Sequence, residues 1–258
     1  MMRYCFVIPV YNHPDYLADL LQYLKQFELP IIVVNDGSHA SCTAQLQQLD
    51  QQHEQMILLE HADNMGKGQA VMTAIRHAHM LGFSHALQLD SDGQHHWQDI
   101  ARFIQTFQAH LEAMVIGQAM FDQSVPRKRL YGRYLTHIWV WINSLSFDIK
   151  DSMCGFRVYP VAACMQVLDQ HRLHPRMGFD SEILVRLKWQ GVDFVNLPTH
   201  VVYPEGGISH FNMLRDNIGL SQTHTRLFFG MLKRLPRLSL QKVQQKKSQK
   251  TLPDRSEH

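Results

Sequence analysis

The run Leu89-Asp90-Ser91-Asp92-Gly93-Gln94-His95 closes an apolar segment with two carboxylates one residue apart. Held by a turn, such a pair can share a hard divalent cation, Mg²⁺ or Mn²⁺, through oxygen ligands, directly or through water. A cation there would offset the charge of a leaving diphosphate. The same residues also make a plain solvated Asp/Gly turn; their place at the end of an apolar run favours the metal reading. A second acid, Asp36, ends the run Ile31-Ile32-Val33-Val34-Asn35 and precedes Gly37-Ser38. It can accept hydrogen bonds from the N–H groups of a nucleobase, or it can serve only to make its turn. Asn64-Met65-Gly66-Lys67-Gly68 opens a helical pattern and offers backbone N–H groups and an ammonium to phosphate oxygens. Its spacing is neither that of a P-loop nor that of a dinucleotide fingerprint.

Elements of a particular kind have to carry these residues. Over residues 1–120, short β-rich runs alternate with helical patterns, the signature of a mostly parallel sheet flanked by helices. The strands are expected at Arg3 to Val10, Ile31 to Asn35, Met56 to Glu60, His85 to Leu89 and Ala113 to Gly117. Helices are expected near Asp15 to Gln26, Ser41 to Gln51, Lys67 to Leu81 and Gln98 to His110. In such sheets ligands bind beyond the carboxyl ends of the strands, where the polar motifs fall. From Arg127 a long helix opens basic (Arg127, Lys128, Arg129, Arg133) and turns aromatic (Trp139, Trp141, Phe147). Helices follow at about Val161 to Gln170 and Asp180 to Gln190, then strands at Asp193 to Leu197 and Thr199 to Tyr203. A last helix runs from about Asn212 to Lys233 and ends at Pro236. This gives one domain, 1–236, with a first half (1–120) that carries the polar motifs and a second half (121–236) that carries the basic and aromatic helix. The Gln-, Lys- and Ser-rich stretch 237–258 reads as a basic disordered tail.

Composition narrows the functional classes. The net charge of +2, from 25 basic and 23 acidic residues, is too balanced for a surface built to hold nucleic acid. The cysteines, Cys5, Cys42, Cys154 and Cys164, form no C-x-x-C pair, which fits a reduced cytosolic setting. Met-Met-Arg-Tyr-Cys-Phe runs straight into a strand pattern, so no secretory signal is expected. The longest uncharged apolar-rich stretch, Tyr134 to Phe147, is shorter than the roughly 20 residues that cross a bilayer, so any membrane contact is expected to be peripheral.

Order adds to what each motif says alone. Val7-Ile8-Pro9-Val10-Tyr11-Asn12, Val34-Asn35-Asp36-Gly37-Ser38, Asn64-x-Gly66-Lys67-Gly68 and Asp90-x-Asp92-Gly93 follow the first four strands in turn. The series resembles the family 2 glycosyltransferases, which have the GT-A fold, a Rossmann-like α/β arrangement. The resemblance implies that Pro9, Tyr11 and Asp36 line the nucleobase and ribose pocket and that Lys67 lies near the donor. Asp90 and Asp92 would hold the ribose or diphosphate and the metal. Asn12, Asn64 and Ser91, from the same motifs, complete the expected donor-binding set.

The second half resembles the polyprenyl-phosphate sugar transferase branch, which includes dolichyl-phosphate mannosyltransferase. The stretch from Arg127 through Asp151-Ser152-Met153-Cys154-Gly155-Phe156-Arg157 to Gly178-Phe179-Asp180-Ser181-Glu182 carries this likeness. It implies that Arg133 and Arg157 approach the acceptor phosphate, with C-terminal amphipathic helices beside them. Met153-Cys154 stand where relatives carry Thr-Ser, which removes two hydroxyl donors. Asp180 and Glu182 sit two apart, so on a helix they point to different faces; one of them can act as a general base for a sugar hydroxyl, or, with an acceptor phosphate that is already anionic, the pair only orients the acceptor. Tyr203-Pro204-Glu205-Gly206-Gly207-Ile208-Ser209-His210 resembles a late segment of relatives, in which a basic residue nears the diphosphate. That implies a metal or phosphate contact for His210.

The expectation is therefore an inverting hexosyl- or N-acetylhexosaminyl-transferase with Mg²⁺ or Mn²⁺ and a nucleotide diphosphate sugar as donor. Its acceptor would be membrane-associated, a polyprenyl phosphate or a lipid-linked hydroxyl, in envelope glycoconjugate synthesis. The chain would work in the cytoplasm at the inner face of the cytoplasmic membrane. Asp92, Asp180, Glu182 and Arg157 are the expected catalytic residues. A sugar-phosphate nucleotidyltransferase is the first alternative, although it should carry a Gly-rich basic loop where this chain has Pro9-Val10-Tyr11-Asn12-His13. A catalytically silent lipid- or partner-binding module is the second.

Overall fold

The computed structural model describes residues 2–120, 127–201 and 213–251. Seven strands form one sheet: β1 (Tyr4–Val10), β2 (Ile31–Asp36), β3 (Met56–His61), β4 (His85–Gln88), β5 (Met114–Met120), β6 (Arg157–Pro160) and β7 (Phe194–His200). The helices are α1 (Leu17–Leu24), α2 (Ala40–Gln52), α3 (Lys67–Met80), α4 (Ile100–Ala109), α5 (Arg127–Ser144), α6 (Val161–Gln170), α7 (Gly178–Gln190) and α8 (Met213–Thr251). The strand order is β3-β2-β1-β4-β6-β5-β7.

Neighbouring residues of β1 and β2 serve opposite faces of the sheet. Cys5, Val7, Ile32 and Val34 join one core with residues of α3, α6, α7 and α8. Phe6, Ile8, Val10, Ile31 and Val33 join the other with residues of α1, α2 and α4. A strand covered on both faces is apolar throughout, which is why these runs do not alternate with polar residues. Each fully buried Val, Ile, Leu or Phe contributes about 1.5–3 kcal/mol, so both faces matter to stability.

Three differences from the sequence expectations bear on the site. β6 was not expected; it runs antiparallel between β4 and β5 and sets Arg157 opposite Gln88. Reversal brings the start of β6 to the end of the sheet where the parallel strands finish. Secondly, the strand expected at 193–197 and the start of the one expected at 199–203 are one strand, β7, which contains Pro198; residues 202 and 203 lie outside the described residues. Among the described residues β7 pairs with β5 alone, and an edge strand tolerates the missing proline N–H. Thirdly, α8 passes Pro236 and continues to Thr251, so the structureless tail expected from 237 is helical as far as that residue. Gln, Lys, Leu and Arg are good helix formers, and one proline removes a single backbone bond. No helix among the described residues is long and apolar enough to cross a membrane.

Candidate active site

The loops after β1, β2 and β4 meet beyond their carboxyl ends. The first two are latched together: Asn12 N–H donates to Ser38 Oγ at 3.0 Å, and His39 N–H donates to Asn12 Oδ1 at 2.7 Å. Asn12 adopts φ 60°, a left-handed conformation that asparagine tolerates. Pro9 is buried, and its carbonyl accepts the Ser91 hydroxyl at 3.4 Å, tying β1 to the Asp90 turn. Tyr11 is half-buried on the same loop.

Asp36 is buried. Its Oδ1 takes His61 Nδ1 at 2.8 Å and the Met65 N–H at 2.9 Å; its Oδ2 takes the Gly66 N–H at 2.7 Å and Asn64 Nδ2 at 3.2 Å. A carboxylate offers about four acceptor sites, and four protein groups occupy these. Asp36 thus fastens the loop 61–66, and a nucleobase N–H could reach it only by displacing one of them. The same contacts revise the phosphate-cradle reading of Asn64 to Gly68. Two backbone N–H groups ahead of α3 already hold an anion, the Asp36 carboxylate. The glycines there serve close packing. Gly66 has φ 106°, and a Cβ on it would lie 2.7 Å from the Pro175 carbonyl oxygen; one on Gly68 would lie 2.9 Å from that of Arg176.

What this loop delivers is Lys67. Its ammonium donates to Asp90 Oδ2 at 2.7 Å. Burial alone would lower the Lys67 pKa, but Asp90, then Asp180, outweigh it and hold the ammonium above its ordinary value. Burial pushes the Asp90 carboxyl up; Lys67 and His95 overcome this and hold it well below the carboxylate range. Gln88 Nε2 donates to Asp90 Oδ1 at 3.1 Å, and the Tyr159 hydroxyl donates to Gln88 Oε1 at 2.8 Å. His95 Nε2 stands 3.4 Å from Asp90 Oδ2, and among the described residues neither ring nitrogen of this buried histidine has a hydrogen-bond partner. Asp92 accepts the Gln94 N–H at 3.0 Å. Its carboxyl is pushed up, first by burial and then by Asp90.

Helix α7 separates the two acids that sequence left undecided. Asp180 lies in the site: its Oδ1 is 3.1 Å from Arg157 Nη1, and its charge acts on Lys67. Glu182 does not. It is fully buried and holds Arg186 at 2.8 Å, Arg226 at 2.6 Å and the His174 N–H at 2.9 Å. The catalytic expectation for Glu182 is therefore replaced by a structural one. Glu182→Ala would leave two arginines facing each other with their carboxylate gone. Urea unfolding should show a loss of about 3–5 kcal/mol, as for other broken buried pairs; a change within about 0.5 kcal/mol would refute this role.

Arg157 also moves. It is fully buried, and its guanidinium donates to the carbonyls of Cys154 (2.7 Å), Ser152 (2.9 Å) and Asp180 (3.1 Å). Those donors are committed inside the protein, so Arg157 positions Asp180 instead of meeting an acceptor phosphate. Arg133 grips both oxygens of Asp151 at 2.7 and 2.6 Å and keeps a little exposure. Asp151 in turn accepts the N–H groups of Ala119, Met153 and Cys154. His210 lies outside the described residues.

Among the described residues, no group of three or more His, Cys, Asp or Glu side chains could hold a metal ion. Asp90 and Asp92 remain, two carboxylates whose mutual repulsion raises Asp92 and would be relieved by a shared divalent cation. One or two carboxylates plus substrate phosphates is the usual way Mg²⁺ is held, so these residues fit a cation that arrives with a diphosphate.

Residues 5–170 match the family described as glycosyl transferase family 2. The chain is 25% identical to a UDP-N-acetylglucosamine–dolichyl-phosphate N-acetylglucosaminyltransferase of Methanococcus voltae; the match covers 92% of this chain and 96% of that one. It is 29% identical to a dolichyl-phosphate β-glucosyltransferase of Trichomonas vaginalis over 70% of this chain, and spans only 60% of that relative's length. Among solved structures it is similar to glucosyl-3-phosphoglycerate synthase of Mycobacterium tuberculosis in complex with Mn²⁺ and UDP-glucose. There the TM-score is 0.62 at 11% identity, covering 89% of this chain and 79% of that one. A mannosyltransferase of Pyrobaculum calidifontis in complex with GDP-mannose and Mn²⁺ gives 0.58 at 14% identity, covering 90% and 64%. The fold they share with this chain is the GT-A arrangement expected from the motif order.

Proposed function

Because the chain belongs to glycosyl transferase family 2, we propose that it moves a sugar from a nucleoside diphosphate donor to a polyprenyl phosphate, with inversion at the anomeric carbon. The observation that carries this reading is the gathering of Lys67, Asp90, Asp92 and Asp180 beyond the carboxyl ends of the parallel strands. The dolichyl-phosphate transferases among the relatives favour a polyprenyl phosphate over a lipid-linked hydroxyl. An acceptor oxygen attacks the anomeric carbon, its bond to the diphosphate oxygen breaks, and the nucleoside diphosphate leaves.

Lys67 stands where its ammonium can turn from Asp90 onto a diphosphate oxygen. A divalent cation held by Asp90 and Asp92 would supply further neutralisation of the leaving group. Gln88 and Tyr159 fix the Asp90 carboxylate from behind. A phosphate acceptor is already anionic and needs no base, which leaves Asp180 to steady Lys67. Arg157 holds Asp180 in turn. Tyr134, Leu135, Ile138, Trp139 and Ile142 are exposed along α5, with Phe147 just beyond it. They give the acceptor half an apolar face suited to peripheral contact with a membrane, at the inner face of the cytoplasmic membrane in this reading.

Thermal unfolding of the full chain with UDP, GDP, dTDP and CMP, each with and without Mn²⁺, tests the donor site. One of them should stabilise the protein only with the metal present, by about 2.7 kcal/mol at about 100 times its Kd. No shift with any of the four, together with no turnover on a polyprenyl phosphate, would sink the proposal.

A further inference from the structure

Helix α7 has a second charged face. Beyond Glu182, on the side away from Asp180, lies a cleft of about 440 Å³ between α7 and the middle of α8. Arg186 and Trp189 line it from α7, and Arg226, Lys233 and Arg234 line it from α8, with His171 at its margin. The spacing 226, 230, 233/234 sets the α8 residues on one stripe of the helix.

Four permanent cations therefore line this cleft, and the carboxylate that Arg186 and Arg226 hold, Glu182, is fully buried behind it and spent on those two. Among the described residues, no carboxylate pairs with Lys233 or Arg234. The Arg234 guanidinium lies 4.8 Å from the centroid of the Trp189 ring, and one of its N–H groups donates to the Gly230 carbonyl at 3.1 Å. Arg186, itself buried, lies 5.9 Å from the same ring.

The crowding has an electrostatic signature. Burial lowers the Arg186 pKa, and Arg226 and Arg234 lower it further against the pull of Glu182. Burial also lowers His171, assisted by Arg186, Arg234 and Arg226. Like charges gathered around a cleft cost free energy unless an anion relieves them. A fork of planar guanidiniums matches the oxygens of a phosphate.

We propose that this cleft is a binding site for a phosphate-bearing anion, separate from the donor site and using the opposite face of α7. Phosphate of this kind comes either from the headgroup of an anionic lipid or from a soluble phosphate. Phe229 lines the cleft and is 59% exposed, and Leu232 and Leu235 are exposed on the adjoining turns of α8. Apolar side chains beside a phosphate site suit the lipid source.

Lys233→Gln and the double variant Lys233→Gln/Arg234→Gln test the site in the full chain. Neither residue holds a carboxylate, so both variants should keep the fold, and Lys233→Gln leaves the Trp189 stack untouched. One arm titrates inorganic pyrophosphate against the protein at matched ionic strength. The other measures cosedimentation with phosphatidylcholine vesicles with and without phosphatidylglycerol. We expect the double variant to bind about tenfold or more weakly in at least one arm, from the loss of charge-assisted hydrogen bonds. A difference in the pyrophosphate arm assigns a soluble phosphate, and one confined to phosphatidylglycerol vesicles assigns a lipid headgroup. If wild type and variants behave alike in both arms, or nothing binds, the site does not exist. Because neither residue belongs to the donor site, metal-dependent nucleotide stabilisation should persist in both variants whatever the arms show.

Discussion

Asp90→Asn is expected to lower kcat by about 10²–10³-fold, the scale on which a lost charge-stabilising group or metal ligand acts. Asparagine keeps the shape and one acceptor oxygen, so the Gln88 contact can survive. What disappears is the negative charge that fixes Lys67 at 2.7 Å and that would hold a cation. The pair is mostly buried, with side-chain exposures of 27% for Lys67 and 18% for Asp90, so stability should fall by about 1.5–3 kcal/mol.

The pH dependence of stability follows from the same pair. Asp90 is depressed in the folded state, so its contribution is present above the unfolded carboxylate value of about 3.9 and is lost as pH falls toward the folded value. Lys67 is raised, so its contribution is complete below the unfolded lysine value of about 10.4 and is lost as pH rises through the folded value. Wild type should therefore lose stability below about pH 4 in part through Asp90, and Asp90→Asn should flatten that limb. Chemical unfolding at a series of pH values, beside steady-state kinetics, measures both effects. Full activity with an unaltered acid limb would remove Asp90 from the centre of the site.

That prediction draws mainly on residues that sequence had already marked. Asp36 and Asp90 were legible because a sheet buried on both faces announces its strands as unbroken apolar runs, and polar residues just past them fall where ligands bind. The same logic located the ends of β1, β2 and β4 to within a residue or two. β6 was not legible: its four residues, Arg157–Pro160, include a fully buried arginine and a terminal proline, and nothing in their period signals a strand. Its pairing joins Gln88 to Arg157, far apart in sequence, and such contacts leave no local pattern.

For the same reason the direction of Arg157 was misread. Resemblance placed it at an acceptor phosphate, whereas tertiary packing turns it inward onto three carbonyls and Asp180. Asp180 and Glu182 show the limit from the other side. Helical geometry said that they face apart, but only the packing of α7 against its neighbours says that Glu182 meets Arg226 while Asp180 meets Arg157. His95 was missed as a site residue although it sits inside the Asp90 motif. Its signal would have been a histidine within a turn that already holds two acids.

Gly155→Ala is expected to lower kcat by about 10²-fold although residue 155 has no side chain to contribute. A Cβ at this position would overlap Asp90 Oδ2 and would lie 2.7 Å from both its Cγ and its Oδ1. The demand is one of space, since Gly155 has no positive φ. The neighbourhood gives little room for adjustment. Phe156 stacks on Phe103 with ring centroids 3.8 Å apart and planes at 5°, and Arg157 is pinned by three carbonyls. The Asp90 carboxylate would have to move, taking it from Lys67 and Gln88, and a shift of about 1 Å in a catalytic group is enough for the expected loss. Overpacking should cost about 1–3 kcal/mol in unfolding measurements, leaving a folded protein to assay. A double-mutant cycle separates this mechanism from a general loosening of the fold. If alanine acts by displacing Asp90, adding Gly155→Ala to Asp90→Asn should reduce activity little further, because the displaced charge is already gone. Multiplication of the two losses would mean that Gly155 supports activity by some other route.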